Sequence, residues 1–188
     1  MEASEKSDEQ DNVFDIYQKL ASDRILFITD HINDKVASDI VALFLLKDSE
    51  NQEDKISLII NSDGGDIRNV FSIYDMMKMV ESPIETICTG AASDEAVLLL
   101  SAGTPGMRFA TKNSLICPKE LAHDSMIQSS LTDVKKFMDR VKKDNDMYML
   151  ALSSCIGKKV PVLKKDFQSH KFFTAKQAVS YGFIDKVI

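Results

Sequence analysis

Two glycine-marked turns, each following an apolar run, hold the residues whose types and spacing could do chemistry. The first is NSDGGD, residues 61–66. Gly64 and Gly65 open backbone conformations closed to other residues and let the chain approach a ligand closely. Their amides, just ahead of a helix, could bind an anion or a developing oxyanion, although an isolated glycine pair is also an ordinary turn. The second is CTGAASDEAVLLLSAG, residues 88–103, with the pattern of a strand running through a small-residue turn into a buried helix. Such a turn can present a nucleophile, and its tip carries Ser93, Asp94 and Glu95. Acyl transfer needs that nucleophile to have a base within hydrogen-bond reach, and the base to have an orienting carboxylate. His31 and His123 sit among polar neighbours and read as surface histidines.

Repeated strand-then-helix units must hold these turns. RILFIT (24–29), KISLIIN (55–61) and IETICTG (84–90) read as strands, the second with no wet face. NDKVASDIVALFLLKDSE (33–50) opens with a capping residue and places Val36, Ile40 and Leu43 or Phe44 at helical spacing. The double-glycine turn leads into an amphipathic helix that extends to residue 82, and DEAVLLLSAG (94–103) is a second, apolar one. MRFATKNSLIC (107–117) reads as two short strands, VFDIYQKLASD (13–23) as a short helix, TAKQAVSYG (174–182) as a helix with a glycine stop, and FIDKVI closes the chain. The long stretch 129–157 reads as a helix of about eight turns, with Val134, Phe137, Met138, Val141, Met147 and Leu150 near one stripe. Right-handed crossovers between such units give an α/β fold with a mainly parallel central sheet.

Composition narrows the function classes. A chain of 188 residues fits one domain, and 44% apolar with 28% charged residues is ordinary for a globular protein. A formal charge of −6 argues against nucleic acid and anionic membranes as partners. Residues 1–12 carry five acids and one lysine and read as a disordered acidic tail ahead of a single domain, 13–188. Cys88, Cys117 and Cys155 lack metal-knuckle spacing and read as buried thiols in a reducing compartment. With no signal-peptide pattern and no uncharged run of membrane-span length, the expected location is cytoplasmic.

The segment from Leu58 to Gly103 resembles the central part of ClpP, the proteolytic subunit of the ATP-dependent caseinolytic protease. There an NSPGG turn precedes a helix, and an AAS-type turn carries the serine. The similarity continues through MRFATKNSLI and ends in KFFTAKQAVSYGFIDKVI, covering nearly everything from Arg24 onward. The resemblance implies a ClpP/crotonase-like fold with a protruding handle helix, about 119–150, through which stacked rings interlock. It also implies where a Ser-His-Asp triad would stand. Aligned without gaps, the serine position is Asp94, the histidine position is Lys119 and the aspartate position is His170, while Gly65 and Glu95 fall at the oxyanion-hole positions. No triad member is intact. Asp94 beside Lys119 would form an ion pair, with the Asp94 carboxylate close to the amides meant for an oxyanion.

The expected function is therefore a catalytically inactive or impaired ClpP-like subunit. Its role would be structural or regulatory, through self-association or mixed rings with an active ClpP paralogue, comparable to ClpR subunits, with an AAA+ unfoldase as a possible further partner. Three other readings stay open: an active peptidase using Ser93 with Lys119 as base, a crotonase-like acyl-CoA enzyme using Asp94 or Glu95 as acid or base, and a homo-oligomeric scaffold outside any active ring. Asp94 and His170 alone do not make a metal site, so neither metal nor cofactor is expected.

Overall fold

A computed structural model describes residues 16–120, 130–168 and 172–188. Helix α1 is described over residues 16–22. It leads into β1 (Ile25–Ile28), α2 (Asp34–Glu50), β2 (Ile56–Ser62), α3 (Ile67–Met79) and β3 (Ile84–Ser93). The short buried helix α4 (Ala96–Ser101) and the short strands β4 (Arg108–Ala110) and β5 (Leu115–Cys117) follow. The long helix α5 (Leu131–Ile156), α6 (Val160–Phe167), β6 (Phe173–Thr174), α7 (Ala175–Tyr181) and β7 (Lys186–Val187) complete the order.

The strands form one sheet in the order β1-β2-β3-β4-β7, every neighbouring pair parallel, as the strand-helix alternation predicts. β3 is the axis of the molecule. Its first half pairs with β4 and its last three residues pair with β5, so Ala91, Ala92 and Ser93 lie beside Leu115, Ile116 and Cys117. β6 adds antiparallel to β5 at the edge. The apolar side chains of β1, β2 and β3 that face inward pack with α2, α3 and α4; Phe44, Ile56, Leu58, Ile60 and Ile73 are fully enclosed. Caps hold the helix starts: Asn33, the cap expected from sequence, accepts from the Val36 amide, and the structure adds Asp66, which accepts from the Arg68 amide, and a reciprocal capping box between Thr174 and Gln177.

Several expectations need correction. β2 does have a wet side, since Asn61 is exposed and Ile59 half-buried. β3 runs three residues past the expected end, to Ser93, because β5 supplies hydrogen-bonding partners there. α5 starts at Leu131, and its buried residues are Asp144, Tyr148, Met149 and Leu152 rather than the expected stripe. None of residues 131–143 is buried and Met138 is exposed, because only the C-terminal half of the helix reaches the body; Met147 and Leu150, within that half, are exposed on the side turned away from it. Helix α6, begun by a proline in its first turn, was not read from the sequence. The acidic tail and residues 121–129 of the expected handle lie outside the described residues, as do His123 and His170.

Candidate active site

The second turn is built by strain held in place from several sides. Asp94 joins β3 to α4 with φ at +50°, a left-handed conformation uncommon for a residue with a side chain and tolerated best by Asp and Asn. Its amide donates to the Cys117 carbonyl at 2.9 Å, which ties the tip to the end of β5. Its carbonyl accepts from the hydroxyl of Tyr148, a fully buried residue of α5, at 3.0 Å. Below it, all six residues of α4 are buried, so the helix cannot shift without opening the core. A strand end, a strained tip and an enclosed helix are the parts of a nucleophile-presenting turn. Tyr148 has no place in the sequence expectation; its only signal was a polar-tipped aromatic within an amphipathic helix.

The first turn faces the second. Gly64 adopts φ of +96°, and a Cβ there would stand 2.5 Å from the Glu95 Oε2 and 3.0 Å from the Asp94 Cβ. Gly65 is pressed against the chain entering α2, where a Cβ would fall 2.3 Å from the Ile32 carbonyl oxygen. The Ile32 amide donates to the Gly64 carbonyl, and the Asp66 amide donates to the Ile32 carbonyl, closing this contact from both sides. Upstream, a register shift between Ile60 and Ser62 leaves room for Gly90 at φ of +105°. There the Asn61 side-chain oxygen accepts from the Ala91 amide at 3.0 Å. The two turns are thus fixed to one another through backbone, with glycine wherever a side chain would collide.

The side chains at this junction are charged. Lys119 Nζ lies 2.5 Å from Asp94 Oδ2, both groups only partly exposed. Glu95 is buried, with 8% of its surface exposed, and its Oε2 accepts from the Gly65 amide at 3.2 Å. Burial, reinforced by the neighbouring Asp94 charge, pushes the Glu95 carboxyl above its ordinary range despite the backbone amides at the turn and Lys119. Burial also carries the Tyr148 phenol well above its usual value, with the Glu95 and Asp94 charges adding to the effect. Ser93 is the last residue of β3 and stands opposite Cys117 in the parallel ladder.

The structure therefore brings together Asp94, Lys119, Gly65 and Glu95, and leaves Ser93 in the ladder opposite Cys117. One expectation is corrected in detail, because the carboxylate on the glycine-turn amide belongs to Glu95, while Asp94 turns to Lys119. Among the described residues no three His, Cys, Asp or Glu side chains stand close enough to share a metal ion. His31 is exposed.

Comparison with known sequences supplies the family. The profile of the Clp protease family matches residues 7–188. The chain belongs to the Clp protease family. It is 38% identical over 184 residues to the ATP-dependent Clp protease proteolytic subunit 2 of Frankia casuarinae, covering 98% of this chain and 84% of that one. It is 33% identical over 186 residues to the ATP-dependent Clp protease proteolytic subunit of Ligilactobacillus salivarius, covering 98% and 92%. The parallel sheet, the glycine turn facing a strained strand-helix turn, and the long helix projecting from the body are the Clp protease fold in this chain.

Proposed function

We propose that this chain is a Clp protease subunit that does not cleave peptides itself and contributes structurally to a ring assembly with an active paralogue. One observation carries the reading: the tip of the nucleophile-type turn holds a carboxylate, and the side chain beside it is an ammonium 2.5 Å away. A hydroxyl at that tip would need a neutral base to take its proton. An ion pair instead keeps Asp94 as an anion and Lys119 as a cation, so neither group supplies what acyl transfer requires. In this reading Asp94, Lys119 and His170 stand where a serine, a histidine and an aspartate would act. Residues 13–188 work as one unit with α5 as its handle.

Two further features support it. Ser93 is held in the ladder opposite Cys117, and Lys119 is engaged with Asp94, so a Ser93–Lys119 dyad would need the turn to slip by a residue and drag α4 with it. Family membership also favours a protease assembly over acyl-CoA chemistry. The relatives are named as proteolytic subunits of an ATP-dependent protease, which makes an AAA+ unfoldase the expected outer partner of the assembled ring and the cytoplasm its expected location.

A fluorogenic peptide assay tests the reading. Native protein, Ser93→Ala and Asp94→Ala should all give no turnover above buffer. Hydrolysis by the native chain that is lost in Ser93→Ala and kept in Asp94→Ala would establish the Ser93 peptidase instead. Tagged protein expressed with an intact Clp paralogue should recover that paralogue in stoichiometric amount; recovery of this chain alone would leave only the scaffold outside an active ring.

A further inference from the structure

We propose that Glu95 is an autoinhibitory plug: its side chain takes the Gly65 amide, one of the two backbone amides that would otherwise receive a peptide carbonyl, closing the groove of this subunit to substrate independently of the nucleophile. The proposal rests on reading the Gly65 and Glu95 amides as the oxyanion pair of a Clp-type site.

The geometry is specific. Glu95 Oε2 is 3.2 Å from the Gly65 nitrogen, so a side chain of the second turn reaches across to the first. An oxyanion pocket stabilises charge because its donors are pre-aimed and unoccupied when substrate arrives. Here the Gly65 donor is already engaged. The space the carboxylate fills is provided by the absent side chain at Gly64, since a Cβ there would meet Oε2 at 2.5 Å. Exit from the pocket is restricted as well. Glu95 caps α4, whose residues are all buried, and the preceding residue is held by the Cys117 carbonyl and the Tyr148 hydroxyl. The groups facing the plug are Asp94, Lys119 on the segment after β5, and Tyr148 on α5. An arriving carbonyl oxygen would have to displace a carboxylate from its hydrogen bond to the Gly65 amide, while the Asp94 charge beside it offers nothing in return. The subunit is thus closed as a peptide-binding surface as well as silent as a peptidase, a distinction that matters for whether mixed rings hold substrate at this position.

The test is fluorescence anisotropy of a fluorescein-labelled decapeptide titrated with the full-length native protein, Glu95→Ala and Glu95→Gln, with folding checked by circular dichroism. Removing the plug should strengthen peptide binding about tenfold in Glu95→Ala, the value of a carbonyl regaining the Gly65 amide donor. Glu95→Gln keeps the shape and loses the charge, so it should gain affinity by a smaller factor, and it carries the test if the alanine variant does not fold. Equal affinity of native and variant proteins, including no binding by any, overturns the plug. Because both variants retain Asp94, no hydrolysis is expected from them. Turnover by the native chain would overturn the proposed function, whereas unchanged binding without turnover overturns only the plug.

Discussion

At the scale of single residues, a carboxylate at the tip of a strained strand-helix turn affects more than one step of chemistry. Asp94 keeps the strained φ that a nucleophile-bearing turn uses and spends its side chain on Lys119. Glu95 carries the cost of burial, and that cost is measurable. Its carboxyl titrates above the ordinary carboxylate range because burial outweighs the backbone amides at the turn. Between its unfolded and folded values the native state therefore holds a proton that the unfolded chain has released, and stability declines as pH rises through the folded value. Glu95→Gln should match the native chain near pH 4 and exceed it near pH 8 in urea melts. A stability difference that stays constant with pH, or that favours the native chain at pH 8, would show that the amides dominate over desolvation.

At the scale of elements, the glycine turn is held closely against the chain that enters α2. At Gly65 a Cβ would lie within 2.7 Å of the nitrogen, Cα and carbonyl oxygen of Ile32, all of them backbone. A flexible neighbour could move aside, but here the start of α2 would have to shift as a unit. Gly65→Ala should destabilise the fold by about 3 kcal/mol, lowering the melting temperature by roughly 6–12 °C for a chain of this size. A melting temperature within a degree of native would mean that the glycine turn is not rigidly held against the entry to α2, and that the Gly65 amide is not a fixed feature. A second constraint comes from Arg108 on β4. Its guanidinium pairs with Asp185 and donates to the carbonyls of Ser101, Cys155 and Gly182, joining the ends of α4, α5 and α7 to the sheet.

At the scale of the whole molecule, α5 is half inside the fold and half outside it. Leu131 is 90% exposed, Met138 60% and Leu150 61%, on a helix whose far end is packed by Tyr148, Met149 and Leu152. Apolar side chains arrayed along a projecting helix suit burial against another subunit, in keeping with a ring-forming role. Met138→Glu combined with Leu150→Glu should reduce the assembled mass seen by light scattering to that of smaller species while leaving the circular dichroism of the subunit unchanged. Unaltered mass would mean that assembly uses a different surface.

The residue order alone carried the strand-helix alternation, the Asn33 cap, the two glycine turns and the identity of Asp94, Lys119 and His170 at the positions implied by resemblance. These are local properties: periodicity, capping and motif spacing act over a few residues. Which carboxylate took the Gly65 amide was not local. Asp94 and Glu95 are neighbours with similar side chains, and only the packing of α4, the carbonyl of Cys117 and the hydroxyl of Tyr148, 54 residues further along, turned one toward Lys119 and the other into the pocket. The buried face of α5 was equally a tertiary matter, because an amphipathic pattern names apolar positions but not where the body of the protein ends and the free half of the helix begins.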